Sequence, residues 1–209
     1  MIARKHTSSD TTRAATGIGA ATATLLVQAG ANVVFGDIAA KPAEALIDHL
    51  SKSGSVGQIS FVTCDVTKYD DLYKLFQTAH GKYGRVDHAV SCAGIFEQGA
   101  WFDPSLTIET VGQSQATTAV IDVNVLGSAN FSRIAVAFLR DSITKGENRS
   151  LTLLSSVNAF RESPGLYMYQ VSQSSLQQVC SESLTRLLII TDIEACHPRS
   201  DAIYAQAYL

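Results

Sequence analysis

Ser156 and Tyr169, thirteen positions apart, are the pair best suited to proton chemistry in this chain. A serine hydroxyl can hold a substrate oxygen, and a positioned phenol can give or take a proton as general acid or base. Both lie in Leu151–Gln173, LTLLSSVNAFRESPGLYMYQVSQ. The apolar run Leu151–Leu154 predicts a buried strand that ends at Ser155 and Ser156. Ser163, Pro164 and Gly165 predict a turn, and a helical pattern starts near Tyr167. Tyr169 and Gln173 are four apart, so they share a helix face about one turn apart. Ligands of open α/β sheets bind outside the carboxyl ends of the strands. A strand-end hydroxyl and a phenol on the following helix are therefore expected over one cleft.

The rest of the chain must build that sheet. Strand-like and helix-like segments alternate, which predicts a parallel sheet with helices on both faces. Helices are expected over Gly17–Ala29, Lys41–Lys52, Tyr69–Tyr83, Ala116–Asp141 and Gly165–Leu188. Strands are expected over Asn32–Gly36, Gln58–Thr63, Val86–Cys92 and Leu151–Ser155. Gly99–Gln115 is polar and predicts a loop with a short helix. The weak place is the start. Arg4–Thr11, RKHTSSDT, is polar, whereas a central parallel strand should be a near-continuous apolar run. The first strand is expected to be defective, with residues 1–11 disordered. Residues 189–209 predict a shortened tail with one strand, placed at Asp192–Pro198, and lone His197 carries little catalytic promise.

Composition narrows the function classes. A length of 209 residues suits one domain with a sizeable core. A net charge of -3 gives no reason to expect nucleic acid or an anionic membrane. No stretch approaches the ~20 apolar residues of a membrane span, and MIARKHTSSDTT lacks the apolar centre of a signal peptide. A cytoplasmic protein is the expectation. Cys64, Cys92, Cys180 and Cys196 are scattered without CxxC spacing, which predicts free thiols and no metal site.

A second set of residues has the spacing of a phosphate site. Gly17, Ile18 and Gly19 open the first helix. A glycine-rich turn there lets backbone approach a pyrophosphate whose charge the helix N-terminus favours. Asp37 ends the next strand twenty positions after Gly17. A carboxylate there can accept ribose hydroxyls and would repel a 2′-phosphate, favouring NAD over NADP. Asp65 and Val66 follow a third strand, where an acidic residue also suits a helix N-cap. Ala93 and Gly94 end the fourth strand with small residues. Asn124 lies within the predicted helix Ala116–Asp141.

In order and spacing these residues resemble the short-chain dehydrogenase/reductase family, over roughly Thr12–Arg186. The family's Thr-Gly-x-x-x-Gly-x-Gly turn is met by Thr12, Gly17, Ile18 and Gly19, with Arg13 in place of the first glycine. Its Asn-Asn-Ala-Gly is met by Ser91-Cys92-Ala93-Gly94. Its Ser and Tyr-x-x-x-Lys are met by Ser156 and Tyr169, with Gln173 in place of lysine. Trp101–Glu109 is similar to a subgroup near the hydroxyprostaglandin dehydrogenases, often found in natural-product pathways.

The resemblance implies a Rossmann-like domain, truncated at its C-terminus, that binds NAD through Thr12, Arg13, Gly17, Ile18, Gly19, Asp37, Asp65, Val66, Ala93, Gly94 and Tyr169. It implies hydride exchange between nicotinamide and a secondary alcohol or ketone of a small or medium-sized metabolite. Tyr169 would move the proton, Ser156 would hold the substrate oxygen, and Asn124 would help order a relay water. Gln173 stands at the position of the lysine. A free phenol has a pKa of about 10, and the family's lysine lowers it by placing a cation one turn away. Gln173 can hydrogen-bond a ribose but brings no charge, which predicts weak turnover. The family's dimer helices correspond to 116–141 and 165–188, so a homodimer is expected. The alternative is a degenerate homologue that binds or dimerises without redox turnover. A non-redox enzyme using Ser156 and Tyr169 is a third option.

Overall fold

The computed structural model describes residues 8–12, 15–52, 54, 56–97, 101–113, 115–141, 147–180 and 187–191, with the backbone alone in 8–12, 177–180 and 187–191. Among the described residues, six strands form one sheet: β1 (Ser8–Thr12), β2 (Asn32–Asp37), β3 (Ile59–Thr63), β4 (His88–Ser91), β5 (Ser150–Ser155) and β6 (Leu187–Thr191). Their order is β3-β2-β1-β4-β5-β6, and every neighbouring pair is parallel. The helices are α1 (Gly17–Gln28), α2 (Ala40–Lys52), α3 (Tyr69–Tyr83), α4 (Ile108–Gln113), α5 (Ser128–Arg140) and α6 (Tyr167–Cys180). This is the doubly wound α/β architecture expected from the alternation of elements.

Burial explains why the strands read clearly. In β2, Val33 and Phe35 enter one apolar cluster with Ala23, Val27 and Leu50, while Val34 enters the other with Phe76, Phe131 and Leu153. A strand covered on both faces needs apolar residues on both. The helices bury single stripes instead. Leu72, Leu75, Phe76 and Ala79 are the buried face of α3, at helical spacing. The Phe76 ring lies 5.1 Å from that of Phe131 and 5.5 Å from that of Phe138. Gly84 ends α3 at φ 75°, and its N–H donates to the His80 carbonyl at 2.7 Å.

Three expectations are corrected. The first strand exists: Ser8–Thr12 pairs with β2 on one side and β4 on the other, in the middle of the sheet. Two flanking ladders decide its backbone, and strand context overrides the weak strand propensity of SSDTT. The predicted helix 165–188 is described as α6 over Tyr167–Cys180, and Leu187 and Leu188, placed in that helix by the sequence pattern, belong instead to strand β6. Residues 192–209, with the strand expected at Asp192–Pro198 and with His197, lie outside the described residues. The predicted helix 116–141 is not uniform, because Ile121–Gly127 winds as a π-helix before α5.

The two edges of the sheet differ. At the amino ends of β4 and β5, buried Arg149 pairs with Asp87 at 3.1 Å and Glu147 at 2.8 Å, and Arg85 pairs with the same two acids. The carboxyl ends carry Asp37, Ser91 and Ser155 at the close of their strands. The order reverses at β1, whose Thr12 is in register with Gly36 on one side and Ser91 on the other. Ligand crevices form at such switch points. No helix among the described residues is long and apolar enough to cross a membrane.

Candidate functional site

At the switch point a cleft of about 330 Å³ opens, lined by Thr16, Gly17, Ile18, Gly19, Asp37, Ile38, Ala39, Cys92 and Gly94. Thr16 occupies the N-cap position of α1 with no side-chain capping bond, and the first turn has no acidic residue. The first N–H groups of a helix have no partner within it and carry partial positive charge. Gly17 has φ +56°, a conformation that favours glycine, and an added Cβ would meet nothing within 4 Å. Thr12 ends β1 just before the turn, while Arg13 and Ala14 lie outside the described residues.

Asp37 is 4% exposed. Its Oδ2 accepts the Ala15 N–H at 3.1 Å and its Oδ1 accepts the Ala39 N–H at 2.9 Å. The carboxylate thus ties the glycine-rich turn to the end of β2. A carboxylate has about four acceptor positions, so capacity remains on the cleft side. An open helix end, a left-handed glycine and a fixed carboxylate fit the pyrophosphate and ribose of a dinucleotide.

Cys92 and Gly94 close the cleft from the segment that follows β4. Burial pushes the Cys92 thiol up to about 11, so it stays protonated at neutral pH. Ala93 lies between them, outside the lining. Asp65 and Val66 also lie outside it. Asp65 Oδ1 accepts from the Thr67 hydroxyl at 2.7 Å and the Thr67 N–H at 3.0 Å, and the hydroxyl bond holds its carboxyl below the usual range. It is not the cap of α3, a position held by Lys68. Val66 packs against Gly127, where an added Cβ would stand 3.1 Å away.

The remaining candidate residues, none of which lines this cleft, lie on and around α6. Ser156 follows β5, and its Oγ accepts the Asn158 N–H at 3.2 Å, capping the short 3-10 turn Val157–Ala159. Ser155 Oγ donates to the Gln173 carbonyl at 3.1 Å, which holds the end of β5 against α6 one turn beyond Tyr169. Gln173 is 4% exposed, with its Nε2 3.4 Å from Ser172 Oγ.

Asn124 is fully buried at the centre of the π-helical segment. Its Oδ1 accepts the Ile95 N–H at 2.8 Å, and its Nδ2 donates to the Ile95 carbonyl at 3.0 Å and to Ser172 Oγ at 2.9 Å. Ser172 in turn donates to the Tyr169 carbonyl at 2.7 Å. Asn124 therefore connects the loop after β4 to the tyrosine helix through direct bonds.

Two participants escape a reading of the sequence alone. Ser172 is hidden among the small polar residues of α6. Glu97 lies in the loop after β4 and accepts the Tyr169 N–H at 2.8 Å and the Met168 N–H at 3.3 Å. The available signal was indirect: Leu166 precedes α6 where a capping residue would stand, so the cap had to come from elsewhere.

The family profile described as short chain dehydrogenase matches residues 11–194. The chain is 30% identical over 165 residues to the 3-oxoacyl-[acyl-carrier-protein] reductase FabG of Thermotoga maritima, covering 79% of this chain and 61% of that protein. It is 31% identical over 172 residues to the 3-hydroxyacyl-CoA dehydrogenase type-2 of Bos taurus, covering 79% and 61%. It is 30% identical over 165 residues to the chanoclavine-I dehydrogenase ifgE of Penicillium roqueforti, covering 78% and 62%. The chain thus spans about three fifths of the length of these relatives. Among solved structures, a short chain dehydrogenase from Mycobacterium smegmatis superposes with a TM-score of 0.70 at 25% identity, over 84% of this chain and 68% of that one. By its fold, by the ordered motifs on its carboxyl edge and by this profile match, the chain belongs to the short-chain dehydrogenase family of oxidoreductases.

Proposed function

We propose that this single domain is an NAD-linked oxidoreductase that interconverts a secondary alcohol and a ketone on a small or medium-sized metabolite. The observation that carries the reading is the cleft at the switch point, where the uncapped start of α1 faces Asp37 across one opening. The α1 amides at Gly17–Gly19 would hold the pyrophosphate. Asp37 would take the adenosine ribose and repel a 2′-phosphate, which favours NAD. When bound, the dinucleotide supplies the hydride chemistry. Tyr169 donates or accepts the substrate's hydroxyl proton, and Ser156 Oγ holds that oxygen. Asn124 fixes the loop and helix on which they depend. Gln173 offers a ribose hydrogen bond without charge. The names of two relatives, a 3-oxoacyl reductase and a 3-hydroxyacyl dehydrogenase, support a ketone–alcohol pair.

The second reading, binding without turnover, is favoured by buried Gln173 at the position where the family's lysine stands. Exposed Leu126 and Val171, beside α5 and on α6, support a homodimer through these helices, which sedimentation would test.

The test is NAD(H) titration of the folded chain, followed by a screen of alcohols and ketones. Saturable binding with a dissociation constant of about 1–100 μM supports the oxidoreductase reading. Tyr169→Phe should lower turnover by about 10²–10⁴ while leaving dinucleotide affinity within about threefold. Absence of binding by a folded chain would sink the proposal; binding without turnover would select the second reading.

A further inference from the structure

We infer that Glu97 is a positioning residue for Tyr169. This inference rests on the oxidoreductase reading of the same site. The first N–H groups of α6 need partners from outside the helix. Gln170 N–H already donates to the Leu166 carbonyl at 2.8 Å. The Met168 and Tyr169 N–H groups come before that first intrahelical bond, and Glu97 accepts both, one on each carboxylate oxygen, at 3.3 and 2.8 Å. A carboxylate on backbone amides makes stronger bonds than a neutral acceptor, and its charge suits a helix N-terminus.

The grip has more than one contact. The neighbouring Phe96 places its ring 4.7 Å from the Tyr169 ring, tilted by 34°. Ile95, one residue earlier, is held at both its N–H and its carbonyl by Asn124. Asn124 also reaches Ser172, which bonds the Tyr169 carbonyl. Tyr169 is thus held at its N–H by Glu97, at its carbonyl by Ser172 and at its ring by Phe96. Two of these three come from the tripeptide Ile95-Phe96-Glu97, which Asn124 anchors. The reactive phenol sits on the first turn of a helix, where fraying is easiest. Glu97 removes that freedom, so the phenol is presented in one place.

The experiment compares the full-length wild type with Glu97→Ala and Glu97→Gln. Amide hydrogen exchange at Met168 and Tyr169 reads the clamp directly, with α3 amides as internal reference. Glu97→Ala should speed exchange at those two amides about tenfold or more. It should lower kcat by about 10- to 100-fold while KM for NADH stays within about twofold, because a misplaced phenol weakens chemistry and leaves the larger part of the dinucleotide seat, the cleft at α1 and Asp37, untouched. Glu97→Gln keeps one acceptor oxygen and no charge, so it should recover part of the kcat and of the exchange protection, ending between wild type and Glu97→Ala. Unchanged exchange in Glu97→Ala overturns the clamp. Faster exchange with unchanged kcat, or a loss confined to KM, overturns its positioning role. A wild type that turns over no alcohol or ketone overturns the oxidoreductase reading and, with it, the catalytic role; the exchange data still decide whether the clamp exists.

Discussion

The two helices that border the site begin in opposite ways. The N-terminus of α1 carries no side-chain cap and no acidic residue in its first turn, and it opens into the cleft. The N-terminus of α6 is closed by Glu97, which reaches it from seventy-one and seventy-two positions upstream. Every helix start presents unpaired N–H groups and a partial positive charge. Left open, that end is a seat for an anion; filled by a carboxylate, it becomes a fixed mount. On the proposed reading, one fold uses the same physical feature for a ligand at one helix and for rigidity at the other. A consequence follows for the chemistry. The positive end of α6 is already neutralised, and Gln173 brings no charge, so neither offers the phenol a cation.

Supplying that cation should have the largest effect. Gln173→Lys places a charge one turn from Tyr169 on the same helix face, and a nearby cation favours phenolate. Two to three pKa units correspond to a gain of about 10²–10³ in turnover near neutral pH. The check is kcat/KM against pH for one alcohol in both proteins, and the variant's profile should extend to lower pH. The Ser155 bond to this residue goes to its backbone carbonyl and survives the substitution. A folded variant with no gain would show that the missing charge is not what limits turnover.

Closing α1 in the way α6 is closed sharpens the comparison next. Thr16→Asp installs an N-cap carboxylate, which should stabilise the helix by about 0.5–1 kcal/mol. The same charge should repel pyrophosphate and weaken NAD(H) binding by about tenfold. Thermal denaturation and calorimetry on one preparation read both. A higher melting temperature with unchanged affinity would place the phosphates elsewhere.

The contrast also shows what a sequence can and cannot reveal. Buried elements were legible because burial imposes a pattern: NVVFG had to be a central strand, and Leu72, Leu75, Phe76 and Ala79 had to be a helix face. The open end of α1 was legible because Gly17 and Gly19 mark it. Ser8–Thr12 was misread because its pairing partners, β2 and β4, lie more than twenty and about eighty positions away and dictate its backbone regardless of its side chains. The π-helical winding at Ile121–Gly127 left no periodic signal, since seven residues are too few to shift an amphipathic pattern. Glu97 was invisible for a similar reason. A cap delivered across the fold has no fixed spacing, unlike a local N-cap.

Asp37→Asn breaks the other wall of the open site. Its two oxygens accept from Ala15 and Ala39 amides, and an amide side chain can satisfy only one of them well. The cost should be about 1–2 kcal/mol of stability. If Asp37 selects NAD as proposed, loss of the charge should also shift the NAD-to-NADP affinity ratio toward NADP by about tenfold. Parallel titrations with NADH and NADPH measure the ratio. A preference that stays the same would remove Asp37 as the selector.

Cys92 offers the mildest test, and it asks how far the open end of α1 projects its charge. Helix N-termini lower thiol pKa values and burial raises them. Here burial wins, with the thiol pushed up to about 11 although it lines the same cleft as Gly17 and Gly19. The sign for stability follows from linkage. Below the ordinary thiol value of about 8.5 the group is protonated whether the chain is folded or not. Between that value and about 11 the unfolded chain releases the proton and the folded chain keeps it, so stability is lost as pH rises. Cys92→Ser should flatten this alkaline decline slightly, as read from denaturation midpoints at pH 8, 9 and 10. At pH 7.5 iodoacetamide should modify Cys92 slowly in the native protein, and NADH should slow it further by about threefold. Rapid alkylation at neutral pH would mean that the positive end of α1 reaches across the cleft and ionises the thiol, and the cleft would then be a more strongly electropositive seat than its burial implies.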